Sequence, residues 1–342
     1  MKDKPRVLIA GIGGASLGTE ILKCLTLAGR YKIFGCDISS FACGHYQEGF
    51  ERTFLVERSN YVDSVLEVCR ASAIDVIVPG GEEPMVLLSE ASERLAIAGI
   101  CLAGNSQPVI KRFSDKQTTF SSLAELGFQT PLTLTAGKPG DLKDMSYPCI
   151  VKPATGSGGS SFVFLAEDRD EALLYVGYLL KNGKAPIVQE YIAADEGEFT
   201  IGVLSLPDGR VAGSVALKRI LDAKLSVLSK TKAGVISSGY SQGLIDDFPD
   251  LRAVAERIAI AIHSEGPLNI QGRVRNGKLI PFEINPRFSA STYLRALAGF
   301  NEVDVYLQHV INGVSISPAA LKAGYYLRTF EEVFVSRDKV VS

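Results

Sequence analysis

Apolar and polar positions follow two periods over the first hundred residues. The run Val7-Leu-Ile-Ala10 is continuously apolar and stops at Gly11, Gly13 and Gly14, which predicts a buried strand and a tight turn. Leu17, Ile21, Leu25 and Ala28 then recur at helical spacing, with Gly29 as the stop. A strand over 31–36 ends at Asp37, a helical pattern covers 61–69, an apolar run covers 74–79, and a single helix is predicted over 84–98. Strands alternating with helices predict a parallel sheet with crossover helices.

Past about residue 112 the pattern changes. A helix over 114–126 leads to strands at 147–152 and 161–165 and a helix over 169–180. Strands at 186–190, 198–206, 210–221, 268–275 and 278–284 then dominate, with one helix over 250–264. Asp208-Gly209 and Asn276-Gly277 read as hairpin turns, so this part is expected to be α+β with antiparallel sheets.

Composition narrows the classes. The 342 residues are 46% apolar and 22% charged, which is ordinary for a globular chain and excludes collagen-like and disordered ones. A formal net charge of -2 with no basic block argues against a nucleic-acid or membrane-surface binder. The first apolar run is broken by glycines and reads as no signal peptide, and the stretch 95–103 is too short to cross a bilayer. The six cysteines form no C-x-x-C pair and read as reduced, mainly buried thiols of a cytoplasmic protein, with no zinc site expected. His45, His263 and His309 read as surface or core residues, which leaves histidine-based catalysis little support.

Two groups of residues carry candidate chemistry. Gly11, Gly13 and Gly14 followed by Asp37 imitate a dinucleotide fingerprint, although Ser16 stands where the third glycine belongs. A nicotinamide-dependent oxidoreductase is therefore an alternative, as is a glycine turn with no ligand.

The second group is longer. Lys116 lies early in a helix, and Lys152 ends an apolar strand. The loop after it, Thr155, Gly156, Ser157, Gly158, Gly159, Ser160 and Ser161, offers amides and hydroxyls to phosphate oxygens without being a P-loop. Singly, these features also suit a plain turn with solvated lysines. The linker Glu190-Tyr191-Ile192 can present backbone groups to an adenine edge, and Glu198 can accept ribose hydroxyls or merely mark a strand edge. Glu283 and Asn285 lie two apart on a strand and face one side, while Phe282 and Ile284 are expected to face a core. Two oxygen donors without His or Cys suit Mg²⁺ bridged to phosphates, and Asn285-Pro286 projects Arg287 beside it. Gln271 would join the metal ligands only if the turn is a three-residue loop or a bulge interrupts the hairpin; otherwise position 283 lies opposite 270.

In order and approximate spacing this series resembles the ATP-grasp superfamily, in the manner of short stand-alone relatives of the carbamoyl-phosphate synthetase large subunit. The resemblance implies an α/β Rossmann-like pre-ATP-grasp domain over 1–111, then a two-lobed α+β ATP-grasp fold. Its small lid subdomain would cover 112–188 and its C-terminal subdomain 189–342. It implies that Lys116, Lys152 and the 155–161 loop contact ATP phosphates. Glu190, Tyr191 and Ile192 would take adenine, and Glu198 the ribose. Glu283, Asn285 and Gln271 would ligate Mg²⁺, with Mn²⁺ as a substitute, and Arg287 would sit between the γ-phosphate and the acceptor. The implied activity is ATP-dependent ligation of a small carboxylate to an amine or related nucleophile through an acyl phosphate. A nucleotide-binding protein without catalysis is a further alternative, and a homodimer is one option for assembly. Lys218, Arg219, Lys230 and Lys232 either reach phosphate or substrate or form a solvated strand face.

Overall fold

The computed structural model describes residues 4–13, 17–156, 162–316, 319–329 and 331–341, with only the backbone described at Pro139. Five strands, β1 (Arg6–Ala10), β2 (Lys32–Asp37), β3 (Arg52–Leu55), β4 (Val76–Pro79) and β5 (Cys101–Leu102), form a parallel sheet of order β3-β2-β1-β4-β5. The unbroken apolar run of β1 is explained by burial on both faces. Val7 and Ile9 pack with α1 (Leu17–Ala28), while Leu8 and Ala10 pack with α2 (Tyr61–Ala71), α3 (Glu82–Glu90) and α4 (Ser92–Ile97).

The single helix expected over 84–98 is two. Ala91, at φ -99 and ψ 14, steps out of the helix, and Leu88 and Leu95 on either side are both fully buried in the same core. The turn after β1 depends on close backbone approach. A Cβ on Gly18 or Gly80 would lie 2.1 or 1.9 Å from the Gly11 carbonyl oxygen, so neither position admits a side chain without moving that turn.

Helix α5 (Gln107–Phe113) leads to α6 (Lys116–Glu125), whose N-cap Asp115 accepts from the Thr118 N–H at 2.7 Å. Four strands follow, β6 (Thr133–Thr135), β7 (Cys149–Pro153), β8 (Phe164–Ala166) and β9 (Pro186–Glu190), in the order β6-β9-β7-β8. Helix α7 (Arg169–Lys181) covers this sheet. The strand expected from 161 begins only at Phe164, because Phe162 has a φ of 60°, outside any strand conformation.

The remaining strands are β10 (Glu198–Ser205), β11 (Val211–Arg219), β12 (Val227–Lys230), β13 (Val235–Ser237), β14 (Gly243–Ile245), β15 (Pro267–Arg275), β16 (Lys278–Asn285) and β17 (Gly324–Tyr326). Six of them form an antiparallel sheet of order β16-β15-β10-β11-β14-β17, and β12 pairs with β13 alone. Helix α8 (Pro249–Ala261) packs on one face of the large sheet. On the other face, α9 (Thr292–Leu297) and α10 (Glu302–Asn312) share one continuous core with α1. Tyr31 seals that contact, donating to Asp304 at 2.7 Å and accepting from Gln308 at 2.9 Å. The parallel and antiparallel units are thereby held together beside a cleft lined by Leu17, Gly80, Gly81 and Glu82 of the one and by Thr200, Asn269 and Asn285 of the other. Among the described residues, no helix is long and apolar enough to cross a membrane.

Candidate active site

The hairpin of β15 and β16 carries the oxygen donors. Asn276 and Gly277, at φ 54° and 72°, make a two-residue turn that pairs Arg275 with Lys278. A bulge then intervenes: Gly272 faces Pro281, but Gln271 faces Glu283, so Phe282 is the extra residue. Gln271 therefore joins Glu283 on one face and donates through Nε2 to Glu283 Oε2 at 2.8 Å. The same bulge overturns the expectation for Phe282, which lines a cleft instead of facing a core; Ile284 is buried in the core as expected.

Lys152 reaches this cleft from β7. Only 5% exposed, it donates to Gln189 Oε1 at 2.8 Å and to the Phe282 carbonyl at 3.0 Å, which places two of its three protons. Burial pushes its pKa down to about 7; Glu283 opposes the shift and Lys116 adds to it. Lys116, whose N–H bonds the Ala154 carbonyl at 2.9 Å, lies on the same wall. Thr155 and Gly156 are exposed beside it, whereas Ser157, Gly158, Gly159, Ser160 and Ser161 lie outside the described residues.

The other end of the cleft is apolar. Ile150, Val163, Ile192 and Ile236 line it, with Tyr191 and Phe282 as flat surfaces. Tyr191 is pinned by the Val235 N–H, which donates to its hydroxyl at 2.9 Å, and by the Arg273 guanidinium 4.8 Å from the ring centroid. A Cβ on Gly234 would lie 2.4 Å from that hydroxyl, so this glycine is required for the approach. The Glu190 carboxylate is turned away to Arg275 and to the Leu132 N–H.

Glu198 is not a cleft residue. It is fully buried, accepts from Arg273 Nε at 2.9 Å, and lies 3.3 Å from Arg219. Antiparallel pairing of β10 with β15 sets it opposite Arg273, and no surface remains for ribose hydroxyls. Arg273 in turn donates to the Ile192 carbonyl at 2.6 Å and the Val235 carbonyl at 2.7 Å. The Ile192 carbonyl is therefore engaged within the protein. Glu198 holds the arginine that clamps the two walls of the cleft, a role shared by residues far apart in sequence. Arg219 belongs to this buried set, and Lys230 lies 3.9 Å from exposed Asp222; neither they nor Lys218 and Lys232 line the cleft. β13 and Gly234 were not anticipated, although the Gly-Val-Ile pattern at 234–236 carries a weak strand signal.

A second, polar cleft of about 450 Å³ adjoins the first. Gln271 and Glu283 line both. Asn285 and Arg287 lie on its floor, and Gly80, Gly81 and Glu82 of the parallel unit face them. Arg287 donates to the Phe288 carbonyl at 2.9 Å; burial lowers its pKa, with Glu82 and then Glu283 opposing. Behind the wall, Arg295 is fully buried, holds the Ser289 and Ser291 hydroxyls at 2.8 Å, and is neutralised by Glu302 at 2.6 Å.

The acidic residue of the nicotinamide alternative lines a cavity with Gly11 and Gly13 and is engaged by the turn. Asp37 Oδ2 accepts from the Ile12 N–H at 2.8 Å and Oδ1 from the Ser39 N–H at 3.0 Å, so both oxygens close the turn. Gly14 and Ser16 of that motif lie outside the described residues.

The donor set fits a magnesium nucleotide. A flat apolar slot suits a purine, and Lys152 and Lys116 suit phosphates. One carboxylate and two amides suit a hard cation that draws its other ligands from phosphate and water. Among the described residues, no group of three or more His, Cys, Asp or Glu could hold a metal alone.

Comparison with known proteins agrees. The ATP-grasp domain model matches residues 113–291, just over half of the chain. The chain is similar to the carbamoyl phosphate synthase large chain of Thermomicrobium roseum, 23% identical over 95% of this chain and 31% of that protein. The Deinococcus radiodurans protein of the same name is 25% identical over 84% of this chain and 28% of its own length. The chain thus spans between about a fifth and a third of the length of the curated relatives it matches. Among solved structures, the L-amino acid ligase from Bacillus licheniformis superposes with a TM-score of 0.65 at 18% identity, covering 94% of this chain and 76% of that one. N5-carboxyaminoimidazole synthetase from Staphylococcus aureus, complexed with ADP, gives 0.69 at 15% identity over 94% and 81%. The matched domain and the shared fold together establish that this chain belongs to the ATP-grasp family.

Proposed function

We propose that the chain is an ATP-dependent carboxylate–amine ligase that works through an acyl phosphate with Mg²⁺. The carrying observation is that Gln271 and Glu283 line both the slot suited to a nucleotide and the polar cleft beside it. In this reading Lys116 and Lys152 take phosphates, Tyr191 and the linker take adenine, and Glu283, Asn285 and Gln271 hold the cation. The bound cation would neutralise the phosphates and polarise the γ-phosphoryl group. A carboxylate oxygen attacks the γ-phosphorus, its bond to the bridging oxygen breaks, and ADP leaves. The amine then attacks the acyl carbon, phosphate departs, and the nitrogen gives up a proton. Arg287, on the acceptor side, stabilises the charge that moves. We also propose that the parallel unit is a Rossmann-like pre-ATP-grasp domain and that the chain divides near 111 and 188. The second boundary shifts past β9, whose residues pair within the four-stranded sheet. The six cysteines, none of them in a disulfide, support a reducing, cytoplasmic setting.

ATP or ADP with Mg²⁺ is expected to raise the melting temperature, by about 2.7 kcal/mol of stabilisation at a hundredfold excess over Kd, and NAD is expected to do nothing. Thermal-shift measurement checks this, and stabilisation by NAD alone would restore the oxidoreductase. Release of ADP across pairs of carboxylates and amines tests the ligase itself.

Lys152 makes nucleotide binding pH-dependent. With a pKa of about 7 it is largely neutral at alkaline pH in the free protein, and phosphate favours its charged form. Binding must then take up a proton, so affinity falls as pH rises above 7, by at most about tenfold per unit. Calorimetry near pH 8 in buffers of different ionisation enthalpy should register uptake approaching one proton. Zero uptake there would show that Lys152 does not change charge when the nucleotide binds.

A further inference from the structure

The polar cleft is lined by three charged side chains among its described residues: Glu82, Glu283 and Arg287. Glu283 is engaged with Gln271 at the junction with the nucleotide slot. That leaves a carboxylate on the parallel unit facing a guanidinium on the antiparallel one. Of the charges around Arg287, Glu82 favours its cationic form most, ahead of Glu283, and the two line one cleft without a salt bridge between them. The neighbouring Glu83 differs: it pairs with Arg58 at 3.0 Å and lines a separate cavity. The buried Arg295 and Arg328 behind the wall are each matched by a glutamate, Glu302 and Glu20. The unmatched opposite charges of this cleft are therefore Glu82 and Arg287.

Two opposite charges that face one cavity without touching are complementary to a ligand that carries both. A simple carboxylate would satisfy Arg287 and bring a second negative charge toward Glu82. A zwitterion satisfies both, and a cleft of about 450 Å³ has room for it. We propose that the acid activated in this cleft is an α-amino acid, its carboxylate on Arg287 and its ammonium on Glu82, with its side chain toward Leu17 and Leu228. This rests on the ligase reading above and deepens it, because it assigns Glu82 as the residue that selects an amino acid over its des-amino analogue.

The test separates binding from turnover. Both enantiomers of alanine, leucine, phenylalanine, aspartate and lysine would be titrated calorimetrically into the protein with Mg²⁺ and a non-hydrolysable ATP analogue. Propionate, 4-methylpentanoate and 3-phenylpropionate serve as des-amino partners. ADP release would be followed with hydroxylamine, which traps an acyl phosphate as the hydroxamate. At least one amino acid is expected to bind and turn over, and its des-amino partner should be weaker by tenfold or more. Glu82→Gln should raise Kd and KM for the amino acid by about 10–100-fold, the weight of a charge-assisted hydrogen bond, and should leave ATP affinity unchanged. Glu83→Gln should change neither. Equal use of des-amino acids by the native protein, or an unchanged amino-acid Kd in Glu82→Gln, overturns the assignment while leaving a ligase. Glu82-dependent amino-acid binding without ADP release from any acid supports the assignment and refutes the ligase.

Discussion

Glu198→Gln is expected to lower the melting temperature by about 10 °C, and the preference for ATP over 2′,3′-dideoxy-ATP is expected to survive in the folded fraction. Glu198 is fully buried between Arg219 and Arg273, and it is the carboxylate facing both. Removing one partner of a buried ion cluster costs about 3–5 kcal/mol, because the remaining charges stay buried without compensation. Here two guanidinium groups would be left, against a total stability of about 5–15 kcal/mol for a typical domain. Arg273 also holds the Ile192 and Val235 carbonyls, so the loss would loosen the walls on either side of Tyr191. Thermal denaturation of native and variant protein, with titrations of both nucleotides, measures the two quantities. A variant of native stability that no longer discriminates at the ribose would return Glu198 to the nucleotide.

The fate of Glu198 illustrates which parts of the site local sequence can carry. Residues whose direction follows from period two on a single strand were legible: Ile284 faces the core, and Glu283 and Asn285 share the other side. The need for a three-residue loop or a bulge near Gln271 was legible as well, because a two-residue turn at Asn276 and Gly277 fixes a register that Gln271 could not otherwise meet. The place of the bulge was not, and with it went the direction of Phe282. The partner of Glu198 lies 75 residues away on another strand, and no local period encodes that distance. β13 was hidden for a related reason. It is three residues long and pairs only with β12, so nothing but its contact with the slot marks it. The parallel unit was easy by comparison, since its strands are continuous apolar runs, yet the break at Ala91 depends on packing Leu88 and Leu95 into one core.

Arg287→Ala is expected to cut turnover by about 10²–10³-fold while ATP affinity changes only modestly. The structure offers the two conditions such an effect needs. Arg287 lines the polar cleft and not the nucleotide slot, so it is placed toward the acceptor. Burial lowers its pKa, and Glu82 and Glu283 are the charges that oppose this, so its positive charge lies where solvent screening is weak. A guanidinium there interacts most strongly when negative charge develops on the phosphoryl group and the acceptor oxygen between them. In the proposed reading the triphosphate would already have Lys116, Lys152 and the cation site as partners in the ground state. Were Arg287 only a surface residue after the Asn285-Pro286 turn, its loss would alter neither turnover nor binding. Were it a ground-state ligand of ATP, both would fall together. Steady-state ADP release with a competent carboxylate, beside calorimetric ATP affinity, distinguishes the three. Arg287→Lys sharpens the result: a point charge keeps attraction for phosphate but cannot bridge two oxygens in a plane, so it should recover ATP binding fully and turnover only in part.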